Sequence, residues 1–183
     1  MNKRSVYYAL GAAALLVSGA IAAMNPIVGG KEMFPTKNII ENAVNSADHT
    51  TLVAAVKAAG LVDTLSGPGP FTVFAPVNAA FDKLPAGTVD NLLKPENKAT
   101  LAKILTYHVV AGRLSAADLE KQIKAGKGTA TLKTVSGGTL WAMMHGKSIM
   151  LKDEKGGMSM ITQSNVFQSN GVIHVVDTVV MPN

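Results

Sequence analysis

The segment Asn170-Gly-Val-Ile-His-Val-Val-Asp-Thr-Val-Val-Met-Pro182 combines a turn signal with an apolar run. An Asn-Gly pair favours the tight turn of a β-hairpin. The following residues 172–176 are mostly apolar on both faces, which is typical of a central strand. We expect the ring of His174 to hydrogen-bond a neighbouring backbone or hydroxyl group rather than to act in catalysis. Asp177 is expected to anchor a turn or a strand end.

A second buried strand is predicted nearer the N-terminus, in Phe71-Thr-Val-Phe-Ala-Pro-Val-Asn-Ala-Ala-Phe81. The run Ser66-Gly-Pro-Gly-Pro70 before it can only be a turn, and the β-branched and aromatic residues 71–75 favour a strand. Pro76 ends that strand. The side chain of Asn78 is expected to cap a brief helix over residues 79–84.

Four further helices are predicted from apolar residues at helical spacing, beginning near Thr36, Asp48, Pro95 and Ser115. Asp48 is expected to be the N-cap of its helix and Gly60 the C-terminal stop, while Ser115 and Asp118 form a capping-box pattern. After Gly128 the period changes from 3.6 to 2. Strands are predicted over residues 129–132, 139–145, 148–152, 158–164 and 172–180, so the chain is expected to form an α+β domain.

Three segments share their order and spacing with one known family: residues 72–81, the pair Tyr107-His108, and residues 170–182. Together they resemble the fasciclin (FAS1) domain family, over roughly residues 36–183. The resemblance implies a wedge-shaped β-sandwich with short helices packed along one edge, the N-terminal helices first. It also implies a non-enzymatic module for adhesion or interaction outside the cytoplasm. The family-motif positions, expected to be mainly structural, are Thr72, Phe74, Pro76, Asn78, Phe81, Tyr107, His108, Asn170, Gly171, His174 and Asp177.

The Tyr107-His108 pair has two interpretations. The resemblance associates this region with receptor contact in animal members of the family. Alternatively, the apolar stripe of the helix delivers His108 into a core pocket at the helix end, where a cationic ring would also favour the helix dipole. Val77 stands where the family usually has a hydroxyl residue, so one turn hydrogen bond is not expected here.

Residues 1–23 have the anatomy of a secretory signal peptide. Lys3 and Arg4 precede an uncharged, apolar stretch, and Ala20-Ile21-Ala22 fits the small-residue cleavage site. The alternative is an uncleaved membrane anchor. Residues 24–35 contain two prolines and two glycines without any period, and they predict a flexible lead segment before a domain of residues 36–183. We therefore expect a periplasmic or extracellular protein.

The charge balance is mild once the signal is set aside. The chain has 17 Lys and Arg against 12 Asp and Glu, and removing Lys3 and Arg4 leaves 15 against 12. With few aromatic residues, this predicts no nucleic-acid partner. Membrane contact is expected only through the signal segment, and the expected partner is a cell-surface or matrix protein or polysaccharide. Zero cysteines and no Asn-x-Ser/Thr sites suit an exported bacterial protein stabilised by core burial alone.

Searches for catalytic chemistry find little. No Gly-x-Ser-x-Gly elbow occurs, and without cysteine no thiol nucleophile exists. Gly146-Lys147-Ser148 imitates the end of a phosphate loop, but Trp141 stands where its first glycine is required. Neither a catalytic residue nor a cofactor is therefore predicted.

One group of residues supports an alternative function. Trp141, Met143 and His145 alternate on one strand and should share a face, and Met144, Met150, Met158 and Met160 lie nearby in sequence across one or two hairpins. Thioether and imidazole groups suit Cu(I), so the hairpins over residues 141–160 could form a soft-metal or small-ligand site with Met143, His145, Met158 and Met160 as metal ligands. The competing interpretation is that these methionines fill an ordinary core. A structural envelope protein without a discrete ligand is the third hypothesis.

Overall fold

A computed structural model describes residues 25–183. The predicted signal segment of residues 1–23 lies outside them. Helices and strands alternate in the first half of the described chain, whereas strands dominate the second half. The helices are α1 Ile39–Ala43, α2 Thr50–Ala59, α3 Val62–Ser66, α4 Asn78–Asp82, α5 Thr88–Leu92, α6 Lys98–Tyr107 and α7 Ala116–Ala125. The strands are β1 Ile27–Val28, β2 Lys31–Glu32, β3 Phe71–Pro76, β4 Val109–Ala111, β5 Thr129–Lys133, β6 Thr139–His145, β7 Ser148–Lys152, β8 Met158–Gln168 and β9 Gly171–Val176.

Seven of these strands form one mixed sheet in the order β4-β3-β9-β8-β7-β6-β5. The β3–β9 pair is parallel and the other neighbours are antiparallel. An isolated bridge between Val110 and Thr134 joins the region of β4 to the end of β5, so the sheet folds back on itself. The register of β8 against β9 shifts twice, between Ile161 and Val166, and such bulges bend a strand. The predicted α+β sandwich is confirmed.

Two apolar cores lie on opposite faces of β3 and β9, since Val73 and Val175 are in the first and Phe74 and Val176 in the second. In the first core, helices including α1, α2 and α6 pack against β3 and β9. Its buried residues include Ile39, Val56, Leu105 and Ile173. The second lies inside the curved half of the sheet. It buries Leu119 and Ile123 of α7 against the inward residues of β5 to β8, which are Ala130, Leu132, Leu140, Ala142, Ile149, Leu151 and Ile161.

Strand β9 is central, as its apolar sequence predicts. Every residue from Gly171 to Val176 is buried, with β3 on one side and β8 on the other. A hairpin turn joins β8 to β9 near the predicted place, but it is formed by Ser169-Asn170 rather than Asn170-Gly171, and Gly171 is the first residue of β9. A Cβ atom placed on Gly171 would overlap the carbonyl oxygen of Phe71, so this position needs glycine for the two strands to pair. The strand ends at Val176, earlier than the predicted Val180.

The prediction of a flexible lead segment over residues 24–35 is wrong for its described part. Residues 27–32 form the β1–β2 hairpin, and Val28 and Met33 are buried in the first core. The amide of Phe34 donates to Asn42 Oδ1 at 3.0 Å, and Asn42 Nδ2 donates back to the Phe34 carbonyl at 2.8 Å. The glycines and prolines shape a hairpin whose two apolar side chains are needed to close the core.

The expected N-caps of two helices also need correction. Asp48 lies within a short 3₁₀ turn over residues 47–49 and does not cap α2. That role falls to Asn78, whose Oδ1 accepts from the Thr51 amide at 3.0 Å and from Thr50 Oγ1 at 3.2 Å. Asn78 therefore caps a helix 27 residues earlier in the chain rather than its own helix, α4, which begins at Asn78 itself. The Ser115–Asp118 capping box of α7 is present as predicted.

Candidate functional site

The residues of the first motif segment hold strand β3 to its surroundings. Thr72 is fully buried, and its hydroxyl donates to the Gly112 carbonyl at 2.7 Å while accepting from the Leu114 amide at 2.8 Å. Phe74 is fully buried, and Pro76 and Phe81 are buried as well. These side chains stabilise the fold and present no chemical group to solvent.

Asn170 joins three parts of the first core. Its Oδ1 accepts from the amide of Ile39 at 3.0 Å, at the start of α1. Its Nδ2 donates to the carbonyls of Leu65 and Gly67, both at 2.8 Å, at the end of α3. One buried amide thus satisfies three backbone groups that would otherwise be unpaired at helix ends.

Tyr107 is fully buried at the end of α6. Its hydroxyl donates to the Thr139 carbonyl at 2.6 Å and accepts from the Glu154 amide at 3.2 Å. Burial raises the pKa of Tyr107 to about 12, so the phenol is neutral at any physiological pH. The side chain thereby connects α6 to the β5–β6 and β7–β8 hairpins.

His108 is buried beside it, at 2% exposure. Its Nδ1 lies 2.9 Å from the Ile104 carbonyl, and its Nε2 accepts from the Val180 amide at 3.2 Å, which assigns the proton to Nδ1. Burial lowers the pKa of His108 to about 4, so the ring is neutral and the expected cationic ring at the helix end is wrong. Neither Tyr107 nor His108 is available to a partner in the folded protein.

His174 occupies the centre of β9 and is fully buried. Its Nε2 lies 2.8 Å from the Leu114 carbonyl, the Asn165 amide points at its Nδ1 at 3.4 Å, and its ring stacks on Phe74 with centroids 5.8 Å apart. Burial also lowers the pKa of His174. The backbone hydrogen bond expected from the sequence is present, and the neutral ring ties β9 to the segment that leads into α7.

Asp177 anchors the end of β9, as expected from its position. Its Oδ1 accepts from the Met160 amide at 2.9 Å and from Thr178 Oγ1 at 3.0 Å, and its Oδ2 lies 3.6 Å from Lys83 Nζ. Burial raises the pKa of Asp177, but these hydrogen bonds and the Lys83 charge outweigh burial and lower the pKa overall.

The chemistry that remains at the surface lies on the side of β5 to β8 that faces away from the second core. Side chains alternate along each of these strands, so those between the buried positions point outward. We call this surface the outer face. Its half-buried members are Trp141, Met143, Met150, Lys152 and Met160, and its exposed members include His145 and Met158.

The strand register decides which of these side chains are neighbours. Met143 pairs with Met150, and Met150 pairs with Met160, so three methionines form one row across β6, β7 and β8. His145 pairs instead with Ser148, and Met158 pairs with Lys152. The predicted ligand set of Met143, His145, Met158 and Met160 is therefore divided among three rows. Sequence reasoning left Met150 out of that set because the hairpin register was not known.

Other polar groups in the core offer no open site. Ser46 Oγ lies 2.8 Å from His49 Nδ1, but both residues are 3% exposed. Burial lowers the pKa of His49. The adjoining apolar cavity measures about 40 Å³, which is room for little more than a water molecule. Among residues 25–183, no group of three His, Asp or Glu side chains could hold a metal ion.

No helix in the described part of the chain is both long and apolar enough to cross a membrane.

Comparison with known proteins identifies the family. A family model described as the fasciclin domain matches residues 47–182. A solved FAS1 domain pair from the insect cell adhesion molecule fasciclin I has the same fold, with a TM-score of 0.71 at 17% identity, over 80% of this chain and 51% of that one. The chain therefore belongs to the fasciclin domain family, and the resemblance seen in its sequence is confirmed.

Several relatives are much closer in sequence. Protein sll1483 of Synechocystis sp. is 48% identical over 148 residues, covering 79% of this chain and 73% of that protein. Immunogenic protein MPB70 of Mycobacterium bovis is 38% identical over 145 residues, covering 76% and 66% respectively. Cell surface glycolipoprotein MPB83 of Mycobacterium bovis is 35% identical over 167 residues, covering 88% and 68%.

Proposed function

We propose that this chain is an exported, non-enzymatic fasciclin module that binds a cell-surface or matrix protein or polysaccharide through its outer face. The observation that carries the proposal is the difference between the buried polar side chains of the motif segments and the side chains on the outer face. The polar side chains of Thr72, Tyr107, His108, Asn170 and His174 are buried and hydrogen-bonded, whereas the single tryptophan, Trp141, and four methionines lie on the outer face. Its relative MPB83 is a cell surface protein by name, which supports the same location for this chain.

The absence of enzymatic activity in the proposal rests on three of the four histidines, His49, His108 and His174, since the fourth, His145, is exposed on the outer face. His108 and His174 are buried, neutral and hydrogen-bonded to the backbone. Ser46 and His49 form a serine–histidine contact, but substrate cannot reach residues that are 3% exposed. General acid–base catalysis needs such groups within reach of a substrate.

The outer face has the composition of a contact surface. Tryptophan and methionine are enriched in the centres of protein interfaces, because they bury a large area and adapt to the opposing shape. Lys152 pairs with Trp141 on one side and with Met158 on the other, so these three side chains form one row. Met158 is 44% exposed and Trp141 is half-buried. An aromatic ring flanked by aliphatic and cationic side chains can pack against either an apolar protein patch or the face of a sugar ring.

The test is capture from a cell-envelope extract of the native host at physiological salt, followed by crosslinking. Trp141→Ala removes the proposed anchor, and Val44→Ala is the matched control, since Val44 is a 49% exposed apolar residue just after α1. We expect the wild type and Val44→Ala to retain the same partner and Trp141→Ala to lose it. Protease or glycosidase treatment of the captured material separates protein from polysaccharide. Equal capture by all three, or capture of nothing, would contradict the proposal.

Export is tested separately, because it rests on residues 1–23. Fractionation of the host into cytoplasm, periplasm, medium and membrane should place the protein outside the cytoplasm. N-terminal sequencing should then begin at Ala23 or Met24. A protein that stays in the cytoplasm with its first residues intact would overturn this part of the proposal.

A further inference from the structure

We propose that the outer face also contains a site for a soft monovalent metal ion, Cu(I), held by the thioether sulfurs of Met143, Met150 and Met160. This inference does not depend on the proposed partner, because it concerns the purified protein and a metal ion alone. We call these three residues the methionine row. It differs from the ligand set expected from the sequence, since Met150 joins it while His145 and Met158 do not.

The geometry of the row comes from the register. Met150 is directly paired with Met143 on one side and with Met160 on the other. Adjacent strands lie about 4.8 Å apart, so the outer two methionines are each one strand from the central one. A methionine side chain has three rotatable bonds and can lean across that distance. A metal ion above the central strand is therefore within reach of all three side chains.

The position of the row separates it from ordinary core packing. Met33 is 2% exposed and fills the first core, as a structural methionine should. The methionine row instead lies on the side of the sheet opposite Leu140, Ala142, Ile149 and Leu151, which form the second core. All three row members are half-buried rather than buried. Five of the nine methionines in the chain fall within residues 143–160, so thioethers concentrate on strands β6, β7 and β8.

The donor set determines which metal would bind. Thioether sulfur is a soft, neutral ligand that selects Cu(I) over hard cations such as Mg²⁺ or Ca²⁺. Trp141 lies two residues before Met143 on the same face of β6, where its ring could add a cation–π contribution. An exported chain with no cysteine has no thiolate to offer, so methionine is the soft ligand available to it.

The charges around the row disfavour a divalent ion. Lys152 pairs with Trp141 and with Met158 in the neighbouring row, and its ammonium group opposes a cation nearby. At the other end, Asp177 accepts a hydrogen bond from the Met160 amide at 2.9 Å, but its carboxylate already lies 3.6 Å from Lys83 Nζ. The net charge near the row is therefore positive, which opposes a divalent ion more strongly than a monovalent one.

The experiment titrates the purified protein anaerobically with Cu(I) buffered by a chromophoric chelator, and in parallel with Ag(I), which has the same charge and softness without redox chemistry. We expect one equivalent to shift the Met143, Met150 and Met160 methyl resonances together and to quench Trp141 fluorescence. The variant M143L/M150L/M160L keeps the apolar surface but removes the thioethers. It should abolish the one-equivalent binding, because none of the proposed thioether ligands remains.

Two matched controls make the result specific. Met144→Leu changes a methionine on the same strand whose side chain points to the opposite face, and Met158→Leu changes one on the outer face but in the next row. Both should bind as the wild type does. Unshifted methionine resonances, unchanged binding in the triple variant, or loss of binding in Met158→Leu or His145→Gln would each overturn the proposal. Retention of the envelope partner by the triple variant would show that the two functions are separate.

Discussion

The β3–β9 pair and the β6–β8 hairpins belong to one sheet but use their side chains in opposite ways. In β3 and β9 the polar residues Thr72 and His174 are fully buried and hydrogen-bonded to backbone groups. On the outer face of β6 to β8, Met143 and Met150 point toward solvent and need no hydrogen-bond partner. The residues that make the family recognisable are therefore those that build the fold, while the chemistry available to a ligand lies elsewhere.

This difference has a physical origin. A parallel pair at the centre of a sheet is covered on both faces, so any polar group within it must find a partner or destabilise the fold. An antiparallel hairpin can be buried on one face only, which leaves its other face free to vary in chemistry without a cost in stability. Substitutions in the two regions should therefore separate stability from binding.

The largest effect is expected from Gly171→Ala in β9. The added methyl group would overlap the Phe71 carbonyl oxygen and push β3 away from β9. We expect a loss of about 4 kcal/mol in the free energy of unfolding, or failure to fold, because two backbones must move apart. Denaturant unfolding measures it. Gly146→Ala, in the turn between β6 and β7, meets no neighbour and should cost only about 1 kcal/mol for its left-handed backbone.

An equal cost for the two glycine variants would contradict the comparison between the centre of the sheet and its outer hairpins. It would mean that the β6–β7 turn is as constrained as the β3–β9 pair.

The second prediction concerns acid. Burial lowers the pKa values of His49, His108 and His174, that of His108 from 6.5 to about 4. Below pH 6.5 these histidines bind protons in the unfolded chain but not in the folded protein. Their contribution to the free energy of unfolding is therefore fully present above pH 6.5 and is lost as the pH drops toward 4. His108 alone should account for roughly 3 kcal/mol across that window.

The measurement is the free energy of unfolding against pH, together with an NMR titration of the three buried histidine rings. The ring of His108 should stay neutral until pH is near 4. A stability that is flat between pH 6.5 and 4 would show that the buried rings do not govern acid sensitivity.

A smaller effect is expected from Asn78→Ala. This change removes the cap of α2 at Thr51 and the bond from Asn78 Nδ2 to the Ala47 carbonyl at 2.9 Å. We expect a loss of about 1 to 2 kcal/mol, as for other N-caps. Asn78→Asp keeps the acceptor for Thr51 but loses the donor to Ala47, so its free energy of unfolding should lie between those of the wild type and Asn78→Ala. Stability in Asn78→Asp no better than in Asn78→Ala would assign the effect to the Ala47 contact instead.

The smallest effect on stability should come from the outer face. The M143L/M150L/M160L variant replaces half-buried thioethers with side chains of similar volume, and its free energy of unfolding should stay within about 1 kcal/mol of the wild type. Thermal and denaturant unfolding both report it. A loss comparable to that of Gly171→Ala would place these methionines in the packing of the fold and weaken the case for an outer binding face.

Much of the fold was predictable because local signals and global structure agree. The apolar run of β9 and the Ser115–Asp118 capping box each specify a local conformation that the folded protein retains. The errors arose where a side chain acts at a distance. Asn78 caps α2 rather than the helix that follows it, and Val28 and Met33 order a segment whose glycines and prolines suggested flexibility.

The amino-acid sequence alone determined the family, the α+β class and the alternation that puts Trp141 and Met143 on one face, because turn residues and side-chain period are local properties. Only the tertiary structure decided that Tyr107 and His108 are buried and that Met150 stands between Met143 and Met160. Burial and register depend on which strands become neighbours. A strand's own sequence sets its two faces, but its partner sets which side chains on that face can act together.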